Sequence, residues 1–327
     1  MELFYRRPSE ETRKAMCNAA LNLEHVSGGK YEETALAEES VKNFTKHEYV
    51  KILNSGNSAI MSVMSTLQKN VLIPDQGGWS GFKRMAELFG LETLNLPTNL
   101  GLVQLEVLED VITEFNPEAF FITSFGGYAV EQPIAEIYEI CEENDVLLIE
   151  DASGGIGDPG GKLGRSSNAH VVIASTGSPK TVNVGNGSIL STNDSKLLDS
   201  AQYIIKSLKA DPVTCAGIAS EIKNAPKIIE KTSDACKILK SEILEFRGVL
   251  YPEKRGLNVI IPDKDQKRFA YDLRNKFKVH GGGIVTVCPN NNRVKLKAVC
   301  IEIKNLDINC LTPANLNYII NIIKNPF

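Results

Sequence analysis

From residue 49 onward, short apolar runs alternate with longer stretches in which apolar positions recur every three or four residues. Runs of four or five apolar residues read as buried strands, and the longer rhythm reads as amphipathic helix. The run 49–53 precedes a helical stretch 58–69, 71–73 precedes 79–89, 92–96 precedes 103–115, 119–123 precedes 132–144, and 146–150 closes the series. Two further strands are predicted at 170–175 and 188–191, separated by a glycine-rich turn. Ahead of the series, 9–24 and 32–45 read as helices; Ser9 suits a cap, and Glu10 and Glu11 suit a first turn. Repeated strand–helix units of this length predict a mainly parallel sheet with helices on both faces, a three-layer α/β/α arrangement. The pattern changes after about residue 222. A long helix over 225–246 is followed by a strand at 257–261, a helix at 265–277, strands at 283–288 and 293–303, and a helix at 313–324. The expected division is a large domain over 1–222, including the first helices, and a small α+β domain over 223–327.

Composition narrows the class of partner. The chain has 327 residues, 43% hydrophobic and 23% charged, which excludes disorder or a coiled coil as the main architecture. Its formal net charge of −4 gives no bulk attraction to nucleic acid or anionic lipid. No apolar run approaches the ~20 residues that span a bilayer, and the charged opening MELFYRRPSEETRK does not read as a secretory signal. Seven Cys without a CxxC pair read as reduced thiols of a cytoplasmic protein. The four His never pair at helical spacing, so no metal site is expected.

Ligands of open parallel sheets bind at the carboxyl ends of strands, so the loops there are the candidates. Asn54-Ser55-Gly56-Asn57-Ser58-Ala59 leaves one strand and opens a helix, which suits a phosphate or a plain turn. Asp75-Gln76-Gly77-Gly78-Trp79 carries the single Trp of the chain, able to stack on a flat ring or to pack in its loop. Glu150 and Asp151 end a hydrophobic strand and face opposite sides of it. Asp151 can serve a metal, a ribose, a ring nitrogen or a cap. Lys180 lies in Ser175-Thr176-Gly177-Ser178-Pro179-Lys180, ahead of Gly185-Asn186-Gly187, and is either a nucleophilic amine or a solvated charge. The run from Gly155 to Gly160 matches a GxGxxG pattern, but Pro159 interrupts it and no amphipathic helix follows.

Taken in order, these loops resemble the pyridoxal-phosphate enzymes of fold type I, and among them the DegT–DnrJ–StrS sugar aminotransferases. Ser55-Gly56-Asn57-Ser58-Ala59 is similar to the family's phosphate turn. Trp79 resembles its ring-stacking aromatic, Glu150-Asp151-Ala152 its Glu-Asp-Ala signature, and Gly161-Lys162-Leu163-Gly164 its Gly-Lys-x-Gly. Ser175 and Lys180 resemble the phosphate serine and the Schiff-base lysine, and Gly28-Gly29-Lys30 resembles the family's start. The resemblance implies pyridoxal 5'-phosphate held by Gly56, Asn57, Ser58, Trp79, Asp151, Ser175 and Lys180. Asp151 and Lys180 would be the catalytic pair, Asp151 at the pyridine nitrogen and Lys180 forming the imine and moving a proton. It implies a homodimer as well, because fold type I sites lie between subunits.

The chain also departs from the family. Gly154 stands three residues after Asp151, where Gln is usual; Gly177 replaces an aromatic or His; Asn186-Gly187-Ser188 replaces Glu-Gly-Gly. The C-terminal part is short. These departures leave open an aminotransferase acting on a small amino substrate, another fold type I reaction (lyase, decarboxylase or sulfur transfer) or a catalytically silent relative. A sulfur-transfer enzyme would need a mobile cysteine, for which Cys288 is the candidate. A substrate carboxylate would call for an Arg fork from the small domain, with Arg293 and Arg255 the candidates.

Overall fold

The computed structural model describes residues 2–23 and 31–326, so Gly28-Gly29-Lys30 lies outside the described residues. A short strand β1 (Leu3–Phe4) leads into helices α1 (Glu10–Leu21) and α2 (Glu32–Thr45). The Ser9 side chain accepts the Thr12 amide at the start of α1, and Glu10 and Glu11 lie at the positive end of its dipole. The alternation then runs β2 (Tyr49–Leu53), α3 (Gly56–Met64), β3 (Val71–Pro74), α4 (Gly81–Leu88), β4 (Thr93–Leu96), α5 (Leu105–Phe115) and β5 (Ala119–Thr123). A small hairpin with no counterpart in the sequence pattern, β6 (Phe125–Gly126) and β7 (Val130–Glu131), precedes α6 (Ile134–Glu143). Strands β8 (Leu147–Asp151), β9 (Val171–Ser175) and β10 (Ser188–Thr192) complete the set.

Seven of these strands form one sheet in the order β2-β10-β9-β8-β5-β3-β4. Every pairing is parallel except those of β10, which runs against both β2 and β9. Alternate residues of one strand serve opposite faces. Phe121, Ile149 and Ile173 pack with Ile60 and Val63 of α3 and Phe82 of α4. On the other face Val172, Ala174 and Ile189 meet Ala37 and Val41 of α2, while Phe120, Ile122 and Leu148 meet α5 and α6. Burial on both faces explains why these strands read as unbroken apolar runs. The expected three-layer, mainly parallel architecture is present, and it gathers the carboxyl ends of β2, β3, β5, β8 and β9 along one edge.

Helices α7 (Ser195–Ser200), α8 (Gln202–Ser207) and α9 (Pro212–Glu221) lead through a 3-10 turn, Ile222–Asn224, into the long α10 (Ala225–Leu244). The remaining elements are β11 (Val259–Pro262), α11 (Gln266–Lys276), β12 (Val279–His280), β13 (Val285–Val287), β14 (Ala298–Ile301) and α12 (Pro313–Lys324). An antiparallel sheet, β11-β14-β13, packs with α10, α11 and α12 around a core that includes Leu239, Val259, Phe269, Ile301 and Ile319. Two details differ from expectation. The strand predicted over 293–303 is confined to β14, which a 3-10 turn, Ile303–Asn305, follows at once. The chain's first strand joins this C-terminal part: β1 pairs with β12, and Leu3 is fully buried in its core. Among the described residues no helix is long and apolar enough to cross a membrane.

Candidate active site

A cavity of about 200 Å³ opens at the carboxyl edge of the sheet, and Ser55, Gly56, Asn57, Trp79, Asp151, Ser175 and Lys180 line it. Sequence loops separated by more than a hundred residues thus meet at one place. Parallel pairing does this: Asp151 ends β8 and Ser175 ends β9, beside the turn from β2 into α3. Ser55 caps α3 by accepting the Ser58 amide at 3.2 Å. The first amides of the helix have no intrahelical partner, and the dipole end is positive, which suits an anion. Gly56 is required by close approach, since a Cβ there would lie 2.9 Å from Ser175 Cβ. Ser58 differs from expectation. Its hydroxyl donates to Asn54 Oδ1 and lies 2.7 Å from Ser55 Oγ, so it braces the turn from within and does not line the cavity. Trp79 stands at the mouth, 42% exposed, with its indole Nε1 donating to Asn57 Oδ1 at 3.2 Å.

The two carboxylates at the end of β8 do different jobs, as their opposite faces imply. Asp151 lines the cavity and accepts from the Ser153 amide at 3.0 Å and from its hydroxyl. The Ser153 hydroxyl in turn accepts the Ser175 amide at 2.8 Å, tying β8 to β9 at the site. Glu150 is fully buried on the other face, accepting from Ser124 Oγ at 2.6 Å and from the Gly164 amide at 2.8 Å. Burial pushes its carboxyl up to about 7, against the pull of those donors.

Lys180 reaches the cavity from the loop between β9 and β10. Gly185 and Gly187 give that loop its left-handed bends (φ 87 and 89), and a Thr176 amide bond to the Gly187 carbonyl closes it at 3.0 Å. The Lys180 Nζ donates to the Tyr128 hydroxyl at 2.7 Å. Burial alone would lower its pKa; the Tyr128 phenol and the Asp151 carboxylate outweigh that and raise it, despite repulsion from Arg293. Behind Lys180 a crevice of about 10 Å³ brings Arg6 and Lys304 alongside Tyr128. Burial lowers the Lys304 ammonium to about 7, although Glu302 pulls it the other way.

The proposed carboxylate forks are committed elsewhere. Arg293 is 7% exposed and binds Glu302 through two donors, at 2.9 and 2.8 Å. Arg255 pairs with Glu131 at 2.9 Å and with the buried Asp158. Neither lines the cavity that holds Lys180, because each is neutralised by an internal acid first. Cys288 is 2% exposed and burial pushes its thiol up to about 12, so it is not a poised thiolate. Tyr128 and Lys304 carry no motif. The signal for Tyr128 was its place in the loop after β5, at the same sheet edge as the others.

This architecture is that of the fold type I pyridoxal-phosphate enzymes. Residues 8–210 match the model of the DegT/DnrJ/EryC1/StrS aminotransferase family, and residues 226–324 match the MJ1341 family C-terminal domain. The chain belongs to the DegT/DnrJ/EryC1/StrS aminotransferase family, a family dependent on pyridoxal phosphate, and its activity is of that class. Among solved structures it is similar to Helicobacter pylori PseC, an aminotransferase involved in the biosynthesis of pseudoaminic acid. The identity is 16% and the TM-score 0.79, over 100% of this chain and 99% of that one. A DegT DnrJ EryC1 StrS aminotransferase from Brucella abortus gives 15% and 0.75, over 96% and 94% of the two chains. A serine palmitoyltransferase from S. paucimobilis, with PLP and myriocin bound, gives 14% and 0.76, over 97% and 83%. At these identities the likeness is one of fold.

Proposed function

We propose that Lys180 is the residue that holds pyridoxal phosphate covalently and moves the proton in an amino-group transfer, with Asp151 as its partner. The observation that carries this is the sharing of one cavity by an amine, a carboxylate and a helix N-terminus. The donor set fits the cofactor. Gly56 leaves the space in which the start of α3 and Ser175 meet, and the α3 amides with Ser175 Oγ suit its phosphate. Asp151 supplies the anion that keeps a proton on a pyridine nitrogen, and Ser153 fixes its orientation. Trp79 supplies a flat face at the mouth. When bound, pyridoxal phosphate supplies the carbonyl that takes up an amino group and the ring that draws electrons from it. Lys180 Nζ, once free, takes the proton from the substrate Cα and returns one. The closed loop around Gly187 keeps that amine over the sheet edge.

The test is to load the purified protein with pyridoxal phosphate, reduce it with borohydride and locate the modified peptide by mass. A yellow band, fixed onto Lys180 and absent in Lys180→Ala, is the expected result. Modification of Lys304 in place of Lys180 would overturn the assignment.

We also infer a homodimer in the cytoplasm, acting on a small amino compound. The exposed mouth at Trp79 and the fold type I arrangement support the dimer, which sedimentation checks. The seven cysteines are all free thiols, as a reducing compartment favours. The 3-10 turn Ile222–Asn224 between α9 and α10 supports a division of the chain at 222 and 223. A spectral screen of amino acids and amino sugars against the loaded protein identifies the substrate.

A further inference from the structure

Tyr128 lies in the turn of the β6–β7 hairpin with left-handed backbone, φ 62. A bulky residue adopts that conformation only where its surroundings impose it, and such residues gather at functional sites. The surroundings here do impose it. The Tyr128 carbonyl accepts the Leu257 amide at 2.8 Å and the Asn258 amide at 3.0 Å. The next carbonyl, of Ala129, accepts the buried Lys240 ammonium at 2.9 Å, which also binds the carbonyls of Tyr251 and Lys254. The hairpin is therefore pinned from the C-terminal part, and its ring is directed at Lys180.

Two further facts converge on the ring. Lys304 Nζ and Arg293 Cζ lie 4.8 and 5.1 Å from its centroid. At Gly154 a Cβ would come within 3.0 Å of Tyr128 Cε1 and 3.2 Å of Leu257 Cδ1. The position three residues after Asp151 has no side chain because the phenol ring fills that volume.

We propose that Tyr128 is a positioning residue for Lys180: its phenol oxygen holds the lysine amine in the cavity, from the space that the missing side chain of Gly154 leaves. The proposal rests on the role of Lys180 given above. The charged and titratable groups facing Lys180 are Tyr128 from the hairpin, Asp151 from β8, Arg6 beyond β1, and Lys304 and Arg293 from the C-terminal part, with Glu302 bonded to Arg293. Burial disfavours the ammonium and the Arg293 charge repels it, and the phenol is the one hydrogen-bond acceptor found for it among the described residues. Without that oxygen the repulsion prevails and the amine gives up its proton more readily.

The test is trace acetylation of the full-length, cofactor-free protein across an alkaline pH series, with the Lys180 peptide read by mass spectrometry. Its labelling follows the neutral fraction of the amine. In Tyr128→Phe, which keeps the ring and its packing, the curve moves to lower pH by about one unit. In Gly154→Ala, which displaces the ring but keeps the hydroxyl, it moves the same way by less. An unmoved curve in Tyr128→Phe, or a larger move in Gly154→Ala, overturns the proposal. Addition of pyridoxal phosphate to the wild-type protein tests the underlying assignment separately. A missing yellow band there overturns the role of Lys180 and this proposal with it, whereas an unmoved curve overturns the role of Tyr128 alone.

Discussion

The two walls of the site are built by opposite means. The sheet wall consists of small residues at the ends of β2, β8 and β9: Ser55, Gly56, Asp151, Ser153 and Ser175. Register places them, and neutral or singly charged hydrogen bonds over short distances orient them. The C-terminal wall stands behind Tyr128, outside the cavity lining itself, and consists of buried charges. Glu302 is held by two donors of Arg293, by the Asn258 amide group at 2.7 Å and by Lys304 at 3.9 Å. Burial alone would raise its carboxyl, and Arg293 and Lys304 instead bring it down to about 2. The first wall stands on backbone geometry and tolerates the loss of a polar group. The second stands only while every charge keeps its partner.

The sharpest way to separate the walls is to change charge on each. On the role proposed for Asp151, Asp151→Asn leaves the packing, so turnover should fall about 10³-fold while the yellow band still forms and the unfolding midpoint hardly moves. Glu302→Gln strands the Arg293 charge, and urea unfolding should show a loss of about 3–5 kcal/mol. If the two variants lost similar stability, the contrast between the walls would fail.

Acid probes the sheet wall from beneath. His47 is buried, with Nδ1 3.0 Å from Ser191 Oγ and Nε2 3.1 Å from the Ala169 carbonyl, and burial lowers its pKa from 6.5 to about 4. The unfolded chain therefore binds the proton first as pH falls. The contribution of His47 is complete above pH 6.5 and is lost toward pH 4, about 3 kcal/mol in all. Urea midpoints measured from neutral to mildly acid pH should decline, and less steeply in His47→Asn. Glu302 contributes in a lower window, above the ordinary carboxylate range and lost toward pH 2. The smallest effect is expected from Gly56→Ala. Crowding of Ser175 should weaken pyridoxal phosphate binding by about tenfold, with a stability cost of about 1–3 kcal/mol, read by equilibrium dialysis and melting.

The same contrast decides what was legible in the sequence. Residues 54–59, 149–152 and 175–187 are local signals: strand, turn and special residue stand side by side, and the sheet only had to bring them together. The meeting of Asp151, Ser175, Lys180, Gly56, Asn57 and Trp79 at one cavity was readable for that reason. Ser58 does not line that cavity, because its hydroxyl has a nearer partner in Asn54. The C-terminal wall is made of long-range pairs, such as Asn258 with Glu302, and no local pattern announces them. Arg293 and Arg255 read as free forks because their acids, Glu302, Glu131 and Asp158, become neighbours only on folding. Tyr128 stayed hidden because its hairpin is imposed by Lys240 and Leu257 from more than a hundred residues away.

The reversed direction of β10 has a kinetic consequence. Ser188 pairs with Leu53 on one side and Ser175 on the other, so the segment 176–187 leaves the sheet and re-enters it at neighbouring positions. Both ends of the lysine loop are therefore clamped in the most protected layer of the molecule. Opening that loop requires strand separation in the interior, not fraying at a free edge. Amide hydrogens at its two hinges, Thr176 and Gly187, should exchange on the slow timescale of the whole domain. The amine of Lys180 would then be delivered by a part of the protein that does not open to deliver it.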